Sequence, residues 1–233
     1  MRVALGILLA MALGGIQPAV ANWKGSSEVG IVFARGNSDT DTANVKLELS
    51  TERDRWKHGF NIAALRSSND GLKTAQRYGA GWQSDFALSE RNYLFGGLRY
   101  EDDEFSGFDY QASATAGIGH KFIDTATTRF NGQIGAGYRR SKDALSGATN
   151  GEPVLRGDLA FETAVTATTK LINKFVVEAG SDNTFASNEF ALQVRMSDAF
   201  ALSLGLGARF NSDPPLGLKK TDTLTTVNLV YGF

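Results

Sequence analysis

The sequence contains no cysteine, only two histidines and, after residue 21, no long unbroken apolar run. Without cysteine the chain can form neither a disulfide framework nor a lipid-modified N-terminal cysteine, which excludes a stapled secreted domain and a lipoprotein. The missing apolar run excludes a transmembrane helix beyond residue 21. The 24 basic and 25 acidic side chains nearly cancel to a net charge of −1, so no basic field attracts nucleic acid, and we expect no such partner.

The first 21 residues contain the parts of a secretory signal peptide in their usual order. Arg2 precedes an apolar run over residues 3–16, and Ala19-Val20-Ala21 has the small residues that signal peptidase cuts after. Glycine and proline leave the apolar segment too short for a bilayer of about 30 Å. We predict a cleaved signal peptide at residues 1–21, a mature chain at residues 22–233 and export to a bacterial cell envelope.

The mature chain alternates between apolar and polar residues. From Tyr110 to Phe122 the even positions are almost all apolar, while the odd positions are polar or glycine. A strand with lipid on one side and water on the other must change polarity at every residue, whereas an amphipathic helix repeats every three to four. The alternation predicts strands at residues 24–34, 41–52, 56–66, 73–86, 93–101, 110–122, 128–139, 155–167, 171–182, 188–197, 200–211 and 220–233. The phase of the fifth strand stays open, because its apolar residues occupy both faces.

The pattern gives about twelve strands, and the connections between them are mostly short and longer in alternation. These features predict an all-β fold, a transmembrane antiparallel up-and-down β-barrel in the bacterial outer membrane. Short turns would face the periplasm together with both termini. Longer external loops are expected at residues 101–109, 141–153 and 212–219.

The last strand carries a separate signal. Val227, Leu229, Tyr231 and Phe233 occupy every second position and end on an aromatic residue. This pattern resembles the C-terminal signal strand of outer-membrane proteins, which implies recognition by the barrel-assembly machinery during insertion. The other expected partners are outer-membrane lipid and lipopolysaccharide, and we expect a monomer.

The sequence offers little for catalysis. His58 and His120 share their strand faces with apolar residues, so both are expected to point towards lipid headgroups rather than to serve a nucleophile. We expect no enzyme activity, no cofactor and no metal. The acidic run over residues 101–104 could bind a divalent cation, but we favour the interpretation that it is a solvated external loop.

The inner face is the expected seat of function because it carries charges of both signs. Either these charges pair across strands and fill the lumen, or they line a narrow aqueous path for small polar solutes, and twelve strands lie between filled and open barrels. The predicted inner charges are Glu28, Lys46, Glu48, Arg77, Arg99, Glu101, Arg129, Arg139, Arg156, Asp158, Glu162, Lys174, Glu178, Glu189, Arg195, Arg209 and Asp222.

The mature chain resembles the family of salt-induced outer-membrane proteins, whose function is unknown. The resemblance rests on Trp23-Lys24-Gly25, on the turn at residues 35–39, on the run Gly135-Ala136-Gly137-Tyr138 and on Phe233. It implies an outer-membrane location and a link to ionic or osmotic conditions, and it supplies no catalytic residues.

We therefore predict a non-enzymatic outer-membrane barrel that is either structural or a narrow channel for small solutes. The alternatives are a surface-binding protein or adhesin acting through residues 141–153, a lipid-modifying enzyme, and a soluble periplasmic β-protein.

Overall fold

The computed structural model describes residues 23–34, 40–103, 106–214 and 219–233. The predicted signal peptide and the turn at residues 35–39 lie outside the described residues. The strands are β1 Trp23–Ala34, β2 Thr40–Arg53, β3 Trp56–Asn69, β4 Leu72–Ala87, β5 Asn92–Asp103, β6 Phe108–Asp124, β7 Thr128–Asp143, β8 Thr149–Ala164, β9 Thr169–Gly180, β10 Thr184–Arg195, β11 Phe200–Asn211 and β12 Thr221–Gly232.

The twelve strands form one closed antiparallel barrel in which each strand pairs with its neighbours in sequence, and β12 closes the ring against β1. The all-β, up-and-down, twelve-stranded fold is therefore confirmed. None of the described segments is a helix with the length and apolarity needed to cross a bilayer. We call the end of the barrel that holds Trp23 and Phe233 the terminal rim, and the opposite end the distal rim.

The predicted alternation is visible on the two faces of β6. Ile118 and Phe122 point outward and are more than half exposed, whereas Gln111, Ser113 and Thr115 point inward and are buried. The outer surface is apolar because large side chains such as Ile62, Ile134 and Leu155 lie on it, and their exposure would be costly in water.

The fifth strand, whose phase the sequence left open, points Tyr93 and Phe95 into the barrel and Leu94 and Leu98 outward. Two inward aromatic rings fit because the neighbouring strands have glycine beside them. A Cβ atom at Gly119 would overlap the ring of Tyr93, and one at Gly117 would lie 2.8 Å from the ring of Phe95.

Two of the predicted long loops are wrong, because the strands continue beyond the expected positions at the distal rim. Residues 141–153 are mostly a β-hairpin, in which β7 runs to Asp143 and β8 starts at Thr149. Residues 101–109 likewise belong mainly to β5 and β6. Beyond the apolar band both faces of a strand are wet, so the polarity contrast disappears while the hydrogen-bonded ladder continues.

Connection length also separates the two rims less clearly than predicted. The β3–β4 turn at the distal rim contains only Asp70 and Gly71, both with positive φ. Among the connections between the described strands, the one between β11 and β12, residues 212–220, is the longest.

The seam between β1 and β12 is the shortest ladder of the barrel. Among the described residues, β1 pairs with β2 from Trp23 to Ala34 and with β12 from Ser26 to Val29. Phe233 extends the seam at the terminal rim, since its carbonyl accepts from the Gly25 amide at 2.8 Å and its amide donates to the Gly25 carbonyl at 3.0 Å.

Candidate functional site

The inward-facing charges form two groups in the lumen. The first, the arginine cluster, lies mainly on β4 to β9 and β11. Its members are Arg77, Arg99, Arg139, Arg156 and Arg209 with Glu101, Asp103, Glu152, Asp158 and Glu178.

Glu178 is the centre of the arginine cluster, and its side chain is 0% exposed. It accepts hydrogen bonds from Arg99 Nη2 at 2.8 Å, from Ser113 Oγ at 2.9 Å and from Arg156 Nη1 at 3.4 Å. Arg139 Nη1 lies 3.9 Å from the same carboxylate. Three guanidinium groups share this buried carboxylate, and Glu152 and Asp158 supply further negative charge to two of them, which lowers the cost of burying all three.

The outer members of the cluster are paired as well. Arg156 binds Asp158 with two nitrogens, at 2.8 and 2.7 Å, and Arg139 Nη2 lies 2.5 Å from Glu152. Two nearly parallel bonds of this kind fix the direction of a guanidinium group as well as its position. The remaining contacts are Arg77 Nε to Asp103 at 2.6 Å and an ion pair between Arg209 and Glu101.

Several of these contacts cross the lumen. Arg209 belongs to β11 and Glu101 to β5, which lies halfway round the ring, and Arg99 of β5 reaches Glu178 of β9. Phe185 fills the space between them, with the guanidinium carbons of Arg99 and Arg209 at 4.5 and 5.2 Å from its ring centroid. This part of the lumen is packed rather than open.

The second group, the lysine ladder, consists of Lys46 and Glu48 on β2, Lys174 on β9 and Glu189 on β10. Lys46 Nζ lies 3.2 Å from Glu48 and 3.1 Å from Glu189, and Lys174 Nζ lies 2.6 Å from Glu48. These side chains stay 25% to 53% exposed although they point inward. The lysine ladder is therefore accessible to solvent inside the barrel.

Small inward residues leave space next to the lysine ladder. A Cβ atom at Gly59 would meet nothing within 4 Å, and one at Gly79 or Gly207 would meet no atom closer than 3.8 Å. Ala63 and Ala191 have the same inward parity in neighbouring positions. We call the part of the lumen around the arginine cluster the packed side, and the part around the lysine ladder, whose ion pairs also cross from β2 to β9 and β10, the spacious side.

In the described part of the chain, the other predicted inner charges form no ion pair with either group, although Glu28 is the ladder partner of Lys46. Glu28 accepts from Asn228 Nδ2 at 3.1 Å, near the β1–β12 seam. Glu162 pairs with Lys170 at 3.5 Å near the terminal rim, and Arg195 donates to the carbonyl of Ala167 at 2.9 Å. Arg129 is the ladder partner of Glu162, and Asp222 is the ladder partner of Arg209.

The sequence interpretation missed Asp103 and Glu152 as inner charges because both were assigned to loops. Each continues the inward parity of its strand, Asp103 after Arg99 and Glu101, and Glu152 before Arg156. Extending the alternation of inward and outward residues beyond the apolar band would have identified both residues as inward charges. No comparable signal identifies Phe185, since an inward aromatic residue breaks the polar pattern.

The residues considered for chemistry are not arranged for it. His58 stacks between Trp56 and Trp82 on the outer face, and His120 contacts Phe122 and lies 2.7 Å from Asn92 Oδ1. Of the acidic run, Glu101 and Asp103 pair with arginines. Asp109, which follows the run, pairs with Lys142 at 2.7 Å. Within the described ranges no group of three or more histidine or acidic side chains could hold a metal ion.

An apolar outer surface around a closed, even-stranded barrel with a charged lumen defines the class of outer-membrane-type β-barrels. Solved barrels of this class share the fold. The chain is similar to the NanC porin, with a TM-score of 0.53 and 12% identity over 90% of this chain and 97% of that chain. It is also similar to an outer membrane channel from Pseudomonas putida F1, with a TM-score of 0.52 and 12% identity over 94% of this chain and all of that one.

The chain belongs to the family described as protein of unknown function, DUF481, whose model matches residues 27–233. A relative, the uncharacterized protein YdiY of Escherichia coli strain K12, is 28% identical over 212 residues, which cover 90% of this chain and 82% of YdiY. This membership agrees with the resemblance to a family of unknown function drawn from the sequence.

Proposed function

We propose that the protein is a non-enzymatic outer-membrane channel of narrow bore, which passes small polar solutes along the spacious side of its lumen. The observation that carries the proposal is the exposure of the lysine ladder inside the barrel. Paired charges of both signs that keep their water can replace the hydration of a passing polar solute, which buried and fully paired charges cannot do.

The outer-membrane location is supported by the apolar outer face and by the aromatic residues at the terminal rim. Trp56 packs on Phe86, Phe122 on Phe130 and Phe200 on Tyr231, with ring centroids 4.9 to 5.2 Å apart. Aromatic girdles of this kind lie at the membrane interface. In this proposal the predicted signal peptide exports the chain, and the terminal rim faces the periplasm.

Planar-bilayer recordings of the purified protein test the channel. We expect small single-channel steps that become smaller in Gly207→Trp, because the new side chain would enter the spacious side of the lumen. Leu206→Trp is the matched control, since Leu206 is the adjacent residue and points outward.

No conductance above the background of empty bilayers would overturn the channel. That outcome would instead favour the second candidate, a structural barrel, for which the packed arginine cluster is the specific support. Cell fractionation with a heat-dependent shift in gel mobility tests the location independently. Recovery in the soluble periplasmic fraction would contradict it.

A further inference from the structure

The outer surface of the barrel carries a hydrogen-bonded pair of amide side chains, Asn173 on β9 and Asn188 on β10. Each precedes an inward residue of the lysine ladder, Lys174 or Glu189, so both asparagines point outward. Asn173 Nδ2 donates to Asn188 Oδ1 at 2.8 Å and lies 3.4 Å from the carbonyl of Glu189. Both side chains are partly exposed. Two amides therefore lie on a surface that is otherwise apolar.

The amide pair lies in the middle of the apolar band. The β9–β10 ladder contains eleven residue pairs, and the central one joins Lys174 to Glu189, so the two asparagines lie on either side of the midpoint. All their outward neighbours, across the ladders and along the strands, are apolar. These neighbours are Phe161, Leu171, Phe175, Ala186, Phe190 and Ala208. Acyl chains at this depth offer no hydrogen-bond partner to an amide.

The two asparagines satisfy only part of their hydrogen-bonding capacity with each other. An asparagine side chain has one carbonyl oxygen and an amide group with two donors. In the described part of the chain, Asn173 Oδ1 accepts no hydrogen bond and Asn188 Nδ2 donates none. Polar groups that face hydrocarbon without a partner are costly. The pair therefore needs a further polar partner on the outside of the barrel.

The surface beside the amides has low relief. Towards the distal rim the outward positions of four neighbouring strands are small, namely Gly157, Ala179, Ala186 and Ala208. On the opposite side of the ring, β3 and β4 carry Trp56, Phe60 and Trp82 on their outer face instead. Small residues let two membrane-spanning surfaces approach closely enough for short polar side chains to meet.

We infer that the outer surface of β9 and β10 around Asn173 and Asn188, the amide face, binds a second copy of the same chain. The amide face is self-complementary, since each copy offers one free carbonyl oxygen and one free amide group. Two copies related by a two-fold axis along the membrane normal can therefore exchange two hydrogen bonds. A lipid tail supplies neither group, and a different protein would need a matching pair of its own. This dimer replaces the monomer expected from the sequence.

Cysteine cross-linking in isolated outer membranes tests the dimer, because the chain contains no native cysteine. Ala208→Cys places a thiol on the amide face, since Ala208 is the ladder partner of Asn188. Ala80→Cys is the matched control, because Ala80 is also an outward alanine but lies on β4, on the opposite side of the ring. After treatment with a bismaleimide, we expect several-fold more covalent dimer with Ala208→Cys than with Ala80→Cys on a denaturing gel.

Leucine substitutions test the role of the amides themselves. In the Ala208→Cys chain, Asn173→Leu with Asn188→Leu should lower the cross-linked fraction several-fold, to the level of Ala80→Cys, because the apolar side chains are satisfied by lipid. Ser84→Leu is the control, since Ser84 is an outward polar residue on β4 and its loss should leave cross-linking unchanged. The heat-dependent shift in gel mobility shows that each variant is a folded barrel.

Either of two results overturns the dimer. Equal cross-linking of Ala208→Cys and Ala80→Cys would mean that the barrels meet only by random collision. Cross-linking that survives both leucine substitutions would mean that the amides do not hold the copies together. Neither result depends on conductance, so the channel is judged separately by the planar-bilayer recordings.

Discussion

Glu178 shows how one residue can hold together much of the barrel interior. Its carboxylate is the shared partner of Arg99, Arg139 and Arg156, and it has no contact with solvent. Removing one member of a buried ionic group leaves the others uncompensated, which costs about 3–5 kcal/mol, whereas an exposed pair contributes at most about 1 kcal/mol.

We predict that Glu178→Gln lowers the unfolding temperature of the detergent-solubilised barrel by several degrees, because the amide keeps the shape of the side chain and loses its charge. Thermal unfolding followed by circular dichroism measures the change. Glu189→Gln is the control, since Glu189 is also an inward acid but is 53% exposed, and we expect little effect. Equal effects of the two substitutions would contradict a special role for the arginine cluster.

A second residue-scale prediction concerns the glycines that face inward aromatic rings. Gly119→Ala should destabilise the barrel because its methyl group would overlap the ring of Tyr93, and Tyr93→Ala in the same chain should remove most of this effect. Gly59→Ala should be tolerated, since nothing lies within 4 Å of the new methyl group. The folded fraction after heating, read from gel mobility, compares the three. Loss of stability in Gly59→Ala would contradict the assignment of free space.

At the scale of the element, β12 combines closure of the barrel with the predicted assembly signal of Val227, Leu229, Tyr231 and Phe233. The ring of Phe233 stacks on Tyr231 and covers Gly25, while its backbone makes the two bonds to Gly25. The contributions of the Phe233 side chain and of its backbone can therefore be measured separately.

We expect Phe233→Ala to lower the amount of barrel assembled in cells, because the aromatic ring is the predicted recognition element, yet to leave the stability of the assembled fraction nearly unchanged. Deletion of Phe233 should reduce both, since the backbone bonds are lost as well. Membrane fractionation gives the amount, and heating of the purified barrel gives the stability. Normal assembly of Phe233→Ala would refute the role of the ring.

The strands also show what sequence patterns can and cannot predict. The middle of each strand was predictable because lipid and water impose opposite polarities on its two faces, as in β6 and β11. The ends of β7 and β8 were not predictable, because beyond the lipid both strand faces are solvated and the residues no longer alternate between apolar and polar. In β5, the inward Tyr93 and Phe95 hid the phase, since a packed lumen accepts aromatic residues that a wet one would not.

The alternation of inward and outward residues also explains which parts of the candidate site were predictable. Inward charge could be assigned by parity, and Glu178, Arg139 and Arg156 were found in this way. The ion-pair partners could not be predicted in this way, because Arg209 on β11 and Glu101 on β5 come into contact only when the sheet closes into a ring. The division into a packed and a spacious side depends on side-chain volume around the whole circumference, which no single strand encodes.

For the whole molecule, the proposed channel combines the two interpretations that the sequence left open. In this proposal the arginine cluster fills its part of the lumen, and the aqueous path runs beside the lysine ladder. The packed side gives the barrel an internal support, and the Gly207→Trp recording therefore tests the other side alone.

The contacts across the lumen also bear on the order in which the barrel is built. Lys46 and Glu189 are 143 residues apart in sequence, Glu48 and Lys174 are 126 apart, and Glu101 and Arg209 are 108 apart. Such contacts require a nearly complete ring, so they form late, after the hairpins have paired. Interactions absent from the folding transition state slow unfolding without speeding folding. We therefore expect the ionic contacts in the lumen to slow unfolding and to give the barrel a long lifetime once β12 has paired with β1.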